Sequence, residues 1–169
     1  MRFPNYNKVS HVFATCFGVG SIPFAPGTWG SLFAVLLIFN ITFLQDWIVL
    51  VAFLVVALSW WVCVEVHKDT KSDSSEIVID EFAGMFIACM FIHHDLVSLI
   101  FAFIFFRFFD IVKPWPISWV DKNIKNGPGI LIDDLLAGLF AGILMLVISI
   151  FIIWKAKSFL QKIKILQLD

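Results

Sequence analysis

An apolar segment that carries two acids constrains this chain more than any other feature. Residues 77–92 are apolar throughout, except for Asp80 and Glu81. Without the two carboxylates the segment is too short to cross a bilayer, which requires about 20 mostly apolar residues. With them, two ionisable groups lie at or within the membrane boundary, where each costs roughly 2.5–3.5 kcal/mol at a helix centre. Acids retained at that cost predict a functional site inside a helical membrane protein.

The composition supports the membrane interpretation and excludes some partners. The 169 residues are 60% hydrophobic with a mean hydropathy of +0.94, whereas average proteins are about 45–50% apolar. The formal net charge of −1 gives no electrostatic reason to expect nucleic acid. The length favours one domain and leaves the oligomeric state open, a homo-oligomer included. The cysteines lack CxxC spacing, which favours small core residues over ligands; they are Cys16, Cys63 and Cys89.

Apolar runs separated by polar turns define the expected architecture. They lack the alternation of barrel strands, and only helices or closed barrels satisfy their backbone in lipid. We therefore predict an all-α integral membrane bundle of about five helices, formed by a single domain over residues 1–169. A Gly/Pro-rich N-terminal loop at 18–31 leads into it, and a basic tail at 155–169 follows it. The runs cover residues 31–44, 47–64, 77–92, 96–112 and 133–154.

The basic residues predict the orientation of the bundle. If each run crosses once, the N-terminal arm, the 65–76 loop and the 113–132 loop share one side. The positive-inside rule makes that side cytoplasmic. The four lysines of the tail oppose this assignment, although its apolar positions would let it lie in the interface. The shared side carries eight of the twelve basic residues, namely Arg2, Lys8, Lys68, Lys71, Arg107, Lys113, Lys122 and Lys125.

The acidic pairs fall on that same side. Asp80 and Glu81 begin the third run, Asp110 ends the fourth, and Asp133 and Asp134 begin the fifth. Sequence-distant carboxylates are thus predicted to converge at one membrane face, as an active site requires.

Small residues predict that two of these helices pack closely. Asp80, Gly84 and Ala88 lie four residues apart along one helix stripe, and a second stripe has the same spacing. Small residues at this spacing let membrane helices approach each other. If the stripes face each other, two carboxylates meet at the mouth of a tight pair. The second stripe consists of Asp134, Gly138 and Gly142.

Carboxylates this close repel each other unless a positive charge lies between them. A hard divalent cation such as Mg²⁺ suits a site made only of oxygen ligands. The structural alternative is that Asp133 and Asp134 favour the positive end of a helix dipole. That alternative does not explain Asp110, at a helix C-terminus. The candidate metal ligands and general base are Asp80, Glu81, Asp110, Asp133 and Asp134.

Two basic residues near the acids are candidates for binding a phosphate. Arg107 would act as a bidentate donor and Lys113 as a mobile charge; the alternative is an ion pair with a snorkelling lysine. Thr28 and Ser31, in the Gly/Pro-rich loop, are weaker candidates for substrate contact. The acidic and histidine-containing segments 67–69 and 93–95 are interpreted as a solvated loop and as a turn on the opposite face.

Four motifs together resemble one known family. They are Gly18-x-Gly20 through Pro26-Gly27-Thr28-x-Gly30-Ser31, Ile79-Asp80-Glu81-Phe82-x-Gly84-Met85, Arg107-x-x-Asp110-x-x-Lys113-Pro114-Trp115-Pro116, and Gly129-Ile130-x-Ile132-Asp133-Asp134 with Ala137-Gly138. Their order and spacing resemble the phosphatidylglycerophosphatase A family over about residues 10–143. The resemblance implies a multi-pass, Mg²⁺-dependent lipid phosphatase of the bacterial inner membrane. Such an enzyme removes the terminal phosphate of phosphatidylglycerophosphate at the cytoplasmic face, giving phosphatidylglycerol.

Two other functions are weighed against this one. A CDP-alcohol phosphotransferase would require a long Asp-rich signature with paired Asp-x-x-x-Asp, which the sequence lacks. A small cation transporter could use the intramembrane carboxylates, but it predicts an inverted repeat or charges near mid-span. Here the charges cluster at one end, which favours chemistry on a phospholipid substrate at the membrane surface.

Overall fold

The computed structural model describes residues 3–70, 74–124 and 127–166, and in these every regular element is a helix. The all-α prediction is therefore confirmed for this part of the chain. Arg2, Lys71 and Lys125, which entered the charge count, lie outside it. The elements are α1 (Val9–Ala14), a 3-10 turn (Val19–Ser21), α2 (Pro26–Asn40), α3 (Thr42–Asp46), α4 (Ile48–Thr70), α5 (Ile79–Cys89), α6 (Leu96–Val112), α7 (Ile117–Asn123) and α8 (Gly127–Leu166).

Five of these helices correspond to the five apolar runs, but they differ in length. Only α4 and the Gly129–Gln161 part of α8 are, among the described residues, long and apolar enough to cross a membrane. Helices α2, α5 and α6 have 15, 11 and 17 residues, fewer than the roughly 20 that a full crossing requires. The described residues thus form an all-helical protein with two helices that could cross a membrane, while the bundle of five membrane helices stays a prediction.

Helix α8 begins earlier than the sequence suggested. It starts at Gly127, so Asp133 and Asp134 lie about two turns inside it. Pro128 is tolerated there because the missing N–H of a first-turn proline has no helical partner to lose. The prediction that these acids open the helix was wrong. The helix dipole acts mainly within the first turn, so it no longer explains them.

The two predicted small-residue stripes do face each other. A Cβ built on Gly138 would collide with the carbonyl oxygen of Gly84, and one on Gly84 would lie 2.6 Å from the carbonyl oxygen of Asp134. One turn further along, a Cβ on Gly142 would lie 3.0 Å from the carbonyl oxygen of Ala88. Helices α5 and α8 therefore touch backbone to backbone, which fixes the spacing of the acids they carry.

The remaining helices enclose this pair. Helix α4 packs against α1, α5 and α8, whereas α6 packs against α2, α5 and α8. Phe86 and Phe106 are fully enclosed between them, and the three cysteines are buried as predicted. Large apolar side chains are exposed along α4, α6 and α8. That distribution fits an exterior in contact with lipid.

Candidate active site

A cavity of about 780 Å³ opens where the ends of α5, α6 and α8 meet. Its volume lies in the range of about 300–1,000 Å³ typical of ligand pockets. Seven of the nine predicted site residues line it: Asp80, Glu81, Arg107, Asp110, Lys113, Asp133 and Asp134. The structure thus brings together residues from three separate motifs.

Three carboxylates are grouped in the wall of this cavity. Asp80, Glu81 and Asp134 each offer an oxygen atom, and the three oxygens lie within 4.8 Å of one another. Asp80 and Asp134 are only 5% exposed. The Oε2 atom of Glu81 is buried and has no hydrogen-bond partner among the described residues. A buried all-oxygen donor set with an unsatisfied acceptor suits a hard metal cation, so this carboxylate triad could hold a metal ion.

Arg107 lies beside the triad. Its Nη1 atom is 2.6 Å from Oδ2 of Asp110 and 4.0 Å from Oε1 of Glu81. The same nitrogen donates weakly to the Ser31 hydroxyl, at 3.4 Å. Its Nε atom is buried and has no partner among the described residues. The i,i+3 ion pair with Asp110 therefore forms, and it leaves one buried donor of Arg107 without an acceptor.

Lys113 lies just past the end of α6 and is more exposed than Arg107. Its Nζ atom donates to Oδ1 of Asp121 and to Oδ2 of Asp133, both at 2.6 Å. Burial opposes the charge, but the two hydrogen bonds outweigh it and raise the pKa of Lys113 above its ordinary value. Lys113 therefore stays cationic at neutral pH. The Oδ1 atom of Asp133 is buried without a partner among the described residues.

Two predicted substrate contacts lie outside the cavity wall. Thr28 is not among its lining residues, and Ser31 reaches the site only through Arg107. Ser31 instead donates to the carbonyl oxygen of Gly27, at 2.8 Å. Gly27 itself lines the cavity, and a Cβ there would collide with Oε1 of Glu81. The loop thus contributes backbone to the site.

Sequence reasoning missed some lining residues. His67 lies on the last turn of α4 and not in a loop, and it lines the cavity; that it is solvated stays a prediction. Asp121 was passed over because it lies in a segment that appeared to be a polar loop. Neither has a spacing signal that links it to the acids. The other missed polar side chains are Ser74 and Ser75.

Two acids outside the cavity have structural roles. Asp69 accepts from Lys8 at 2.7 Å and lies 3.1 Å from Nε2 of buried His11, so it ties α1 to α4 and is not merely solvated. Asp95 caps α6 by accepting from the backbone N–H groups of Val97 and Ser98. It lies in the turn after α5, at the opposite end of that helix from Asp80, as predicted.

Comparisons with known proteins identify the family. The family model for phosphatidylglycerophosphatase A matches residues 12–149. The chain belongs to the phosphatidylglycerophosphatase A family. It is 41% identical over 138 residues to the phosphatidylglycerophosphatase A of Escherichia coli K12, covering 79% of this chain and 80% of that protein.

Two further relatives extend the comparison. The phosphatidylglycerophosphatase A of Haemophilus influenzae is 38% identical over 144 residues, covering 82% of this chain and 88% of its own. A Bacteroides thetaiotaomicron protein named as a candidate phosphatidylinositol-3-phosphatase is 35% identical over 156 residues, covering 87% and 96%. No solved structure matches the chain. Together with the two apolar helices, these relatives indicate a membrane-associated phosphatase.

Proposed function

We propose that this chain hydrolyses the terminal phosphate of phosphatidylglycerophosphate to give phosphatidylglycerol and inorganic phosphate, a step in glycerophospholipid synthesis. The observation that carries the proposal is the buried carboxylate triad beside Arg107, within a chain that matches this family over residues 12–149. Nothing in the comparisons favours the cation transporter. A site at one end of the helices suits a headgroup that enters from the surface while its acyl chains stay in lipid.

We assign Mg²⁺ to the triad of Asp80, Glu81 and Asp134. Its three oxygens and the unsatisfied Oε2 of Glu81 are the donors that a hard divalent cation prefers. When bound, such an ion neutralises phosphate charge and lowers the pKa of a coordinated water.

We assign the remaining roles in the reaction to Arg107, Asp110 and Asp133. Phosphoryl transfer depends on positioning and charge stabilisation. Arg107 holds the transferred phosphoryl group, because its buried Nε can donate to a phosphate oxygen. Asp110 keeps the guanidinium in place through the 2.6 Å ion pair. We assign the general base to Asp133, whose Oδ1 has no partner among the described residues and can accept a proton from the attacking water.

The first experiment measures phosphate release by detergent-purified protein. Phosphatidylglycerophosphate should be hydrolysed with Mg²⁺, and chelation by EDTA should stop the reaction. Full activity in EDTA would contradict the metal assignment. Phosphatidylinositol 3-phosphate is the matched second substrate, because one relative is named for it. Faster turnover of that lipid would reassign the substrate while leaving the phosphatase chemistry intact.

We further propose a multi-pass protein of the bacterial inner membrane with its site facing the cytoplasm, on the basis of the eight basic residues assigned to that side. Single cysteines test this orientation in a chain lacking the native three. Lys122→Cys should resist an impermeant thiol reagent in intact cells, whereas His93→Cys should react. Both positions are exposed in the structure. The reverse labelling pattern would overturn the orientation.

A further inference from the structure

The two cations of the cavity differ in depth and in partners. Arg107 is 16% exposed and lies 4.0 Å from Glu81 of the carboxylate triad. Lys113 is 29% exposed, and its outer partner Asp121 is 43% exposed. Among the described lining residues these are the two permanent cations, and Arg107 is the more buried of the two.

The proposed substrate also carries two different phosphates. Its terminal phosphate is a phosphomonoester with up to two negative charges, and the phosphate that links glycerol to the diacylglycerol is a phosphodiester with one. The diester lies nearer the acyl chains, so it stays closer to the mouth of the cavity when the monoester reaches the interior. We propose that Arg107 binds the phosphomonoester that is hydrolysed and Lys113 binds the phosphodiester that remains. This inference rests on the proposed function and divides its two basic residues between the substrate's two phosphates.

The chemistry of each cation suits its assigned phosphate. Arginine presents a planar fork that matches several oxygens of one phosphoryl group, and the buried Nε of Arg107 lacks an acceptor. Lysine is a mobile point charge on a flexible chain, which suits a singly charged diester. Arg107 lies on α6 and Lys113 just past its end, and the two side chains have separate partners. Arg107 pairs with Asp110 beside Glu81, whereas Lys113 pairs with Asp121 and Asp133.

Lys113 can also exchange a partner when the diester arrives. Its bond to the half-exposed Asp121 resembles a surface ion pair, which contributes little to stability. Its bond to buried Asp133 is shielded from solvent, so it is the one retained. The ammonium can thus turn from Asp121 towards the phosphodiester while Asp133 keeps it in the site.

The two reaction products test binding at Arg107 and binding at Lys113 separately. Phosphatidylglycerol has the diester without the monoester, and inorganic phosphate serves as the probe for the other half. Inhibition by each product would be measured in mixed micelles for the wild type, Lys113→Gln and Arg107→Lys. Lys113→Gln should raise the inhibition constant of phosphatidylglycerol about 10-fold, the loss expected for one charged hydrogen bond. It should leave inhibition by inorganic phosphate within about twofold, and Arg107→Lys should give the opposite pattern.

Three controls distinguish loss of the Lys113 charge from surface dilution and from misfolding. Lys113→Arg retains the charge and should restore inhibition by phosphatidylglycerol. Diacylglycerol, which lacks a phosphate, takes the place of phosphatidylglycerol to correct for surface dilution of the substrate, and thermal unfolding checks that each variant is folded.

The inference is overturned if Lys113→Gln weakens inhibition by both products equally, or if phosphatidylglycerol inhibits wild type and Lys113→Gln alike or not at all. A wild-type protein that does not hydrolyse phosphatidylglycerophosphate contradicts the proposed function instead, and its turnover is measured separately.

Discussion

Asp80 and Asp95 both lie at the start of a helix, near opposite ends of α5, and their side chains have different surroundings. Asp95 accepts from the backbone N–H groups of Val97 and Ser98 and, at 2.6 Å, from the Ser98 hydroxyl. Asp80 accepts from the N–H of its neighbour Glu81 at 3.1 Å, and no side chain caps α5. Asp95 is exposed, whereas Asp80 is buried. Residue type and helix position therefore do not distinguish the helix cap from the acid of the cavity, whereas burial does.

The largest expected effect comes from removing charge at the buried end. Asp80→Asn and Asp134→Asn should each lower turnover about 10²–10⁴-fold, since each keeps the shape but removes the charge of a proposed metal ligand. Asp110→Asn should lower it comparably by releasing Arg107. Phosphate release would measure this, and Mn²⁺ binding would show whether the metal is lost in the two triad variants. Asp95→Asn is the matched control and should retain wild-type turnover, because asparagine also caps a helix. An equal loss of turnover in Asp95→Asn would show that the effect is not specific to the buried acids.

A smaller effect is expected at the glycine contact that holds the buried acids together. Gly138→Ala places a methyl group against the carbonyl oxygen of Gly84, so α5 and α8 must separate. Overpacking of this kind typically lowers the free energy of unfolding by about 1–3 kcal/mol. The separation of α5 and α8 should also lower turnover. Thermal unfolding and phosphate release would be measured together. Ile143→Ala, at an exposed position of α8, is the control. A variant with unchanged stability and activity would show that the acids do not depend on this contact.

The smallest effect concerns the exposed cap. Asp95→Ala should lower the free energy of unfolding by about 1 kcal/mol with little change in turnover, whereas Asp95→Asn should preserve both. The Ser98 hydroxyl, helped by backbone N–H groups, holds the pKa of Asp95 below its ordinary value. Its stabilising contribution is therefore complete above the unfolded pKa of about 3.9 and is lost as pH falls through the lower folded value.

Unfolding followed at a series of pH values should show this directly. The stability difference between wild type and Asp95→Ala should be largest above about pH 4 and shrink in stronger acid. A difference that grows with acid would mean that Asp95 is not stabilised by its charge.

The parts of the site that follow a helix period could be predicted from sequence. Asp80 with Gly84, and Asp134 with Gly138, share a stripe because four residues make about one turn. The Arg107–Asp110 pair follows from the same geometry, and the structure shows it. Each of these pairs lies within a single helix, so the helix period alone predicts it.

The parts that depend on packing between helices could not be predicted. Asp121 reaches Lys113 only because Ile117 and Val120 are buried and hold α7 in place. His67 reaches the cavity because α4 lies against α5 and α8. The early start of α8 was missed because Gly127-Pro128-Gly129 has the composition of a turn, although its proline is compatible with a first helical turn.

The contact between Gly84 and Gly138 has a consequence for how such a chain could diversify. Because two backbones meet there, the separation of Asp80 and Asp134 does not depend on the size of any lipid-facing side chain. The outer faces of α4, α6 and α8 are then free to vary with the thickness and fluidity of a host membrane. The residues on these outer faces can therefore change without changing the site, provided that both glycines stay in place.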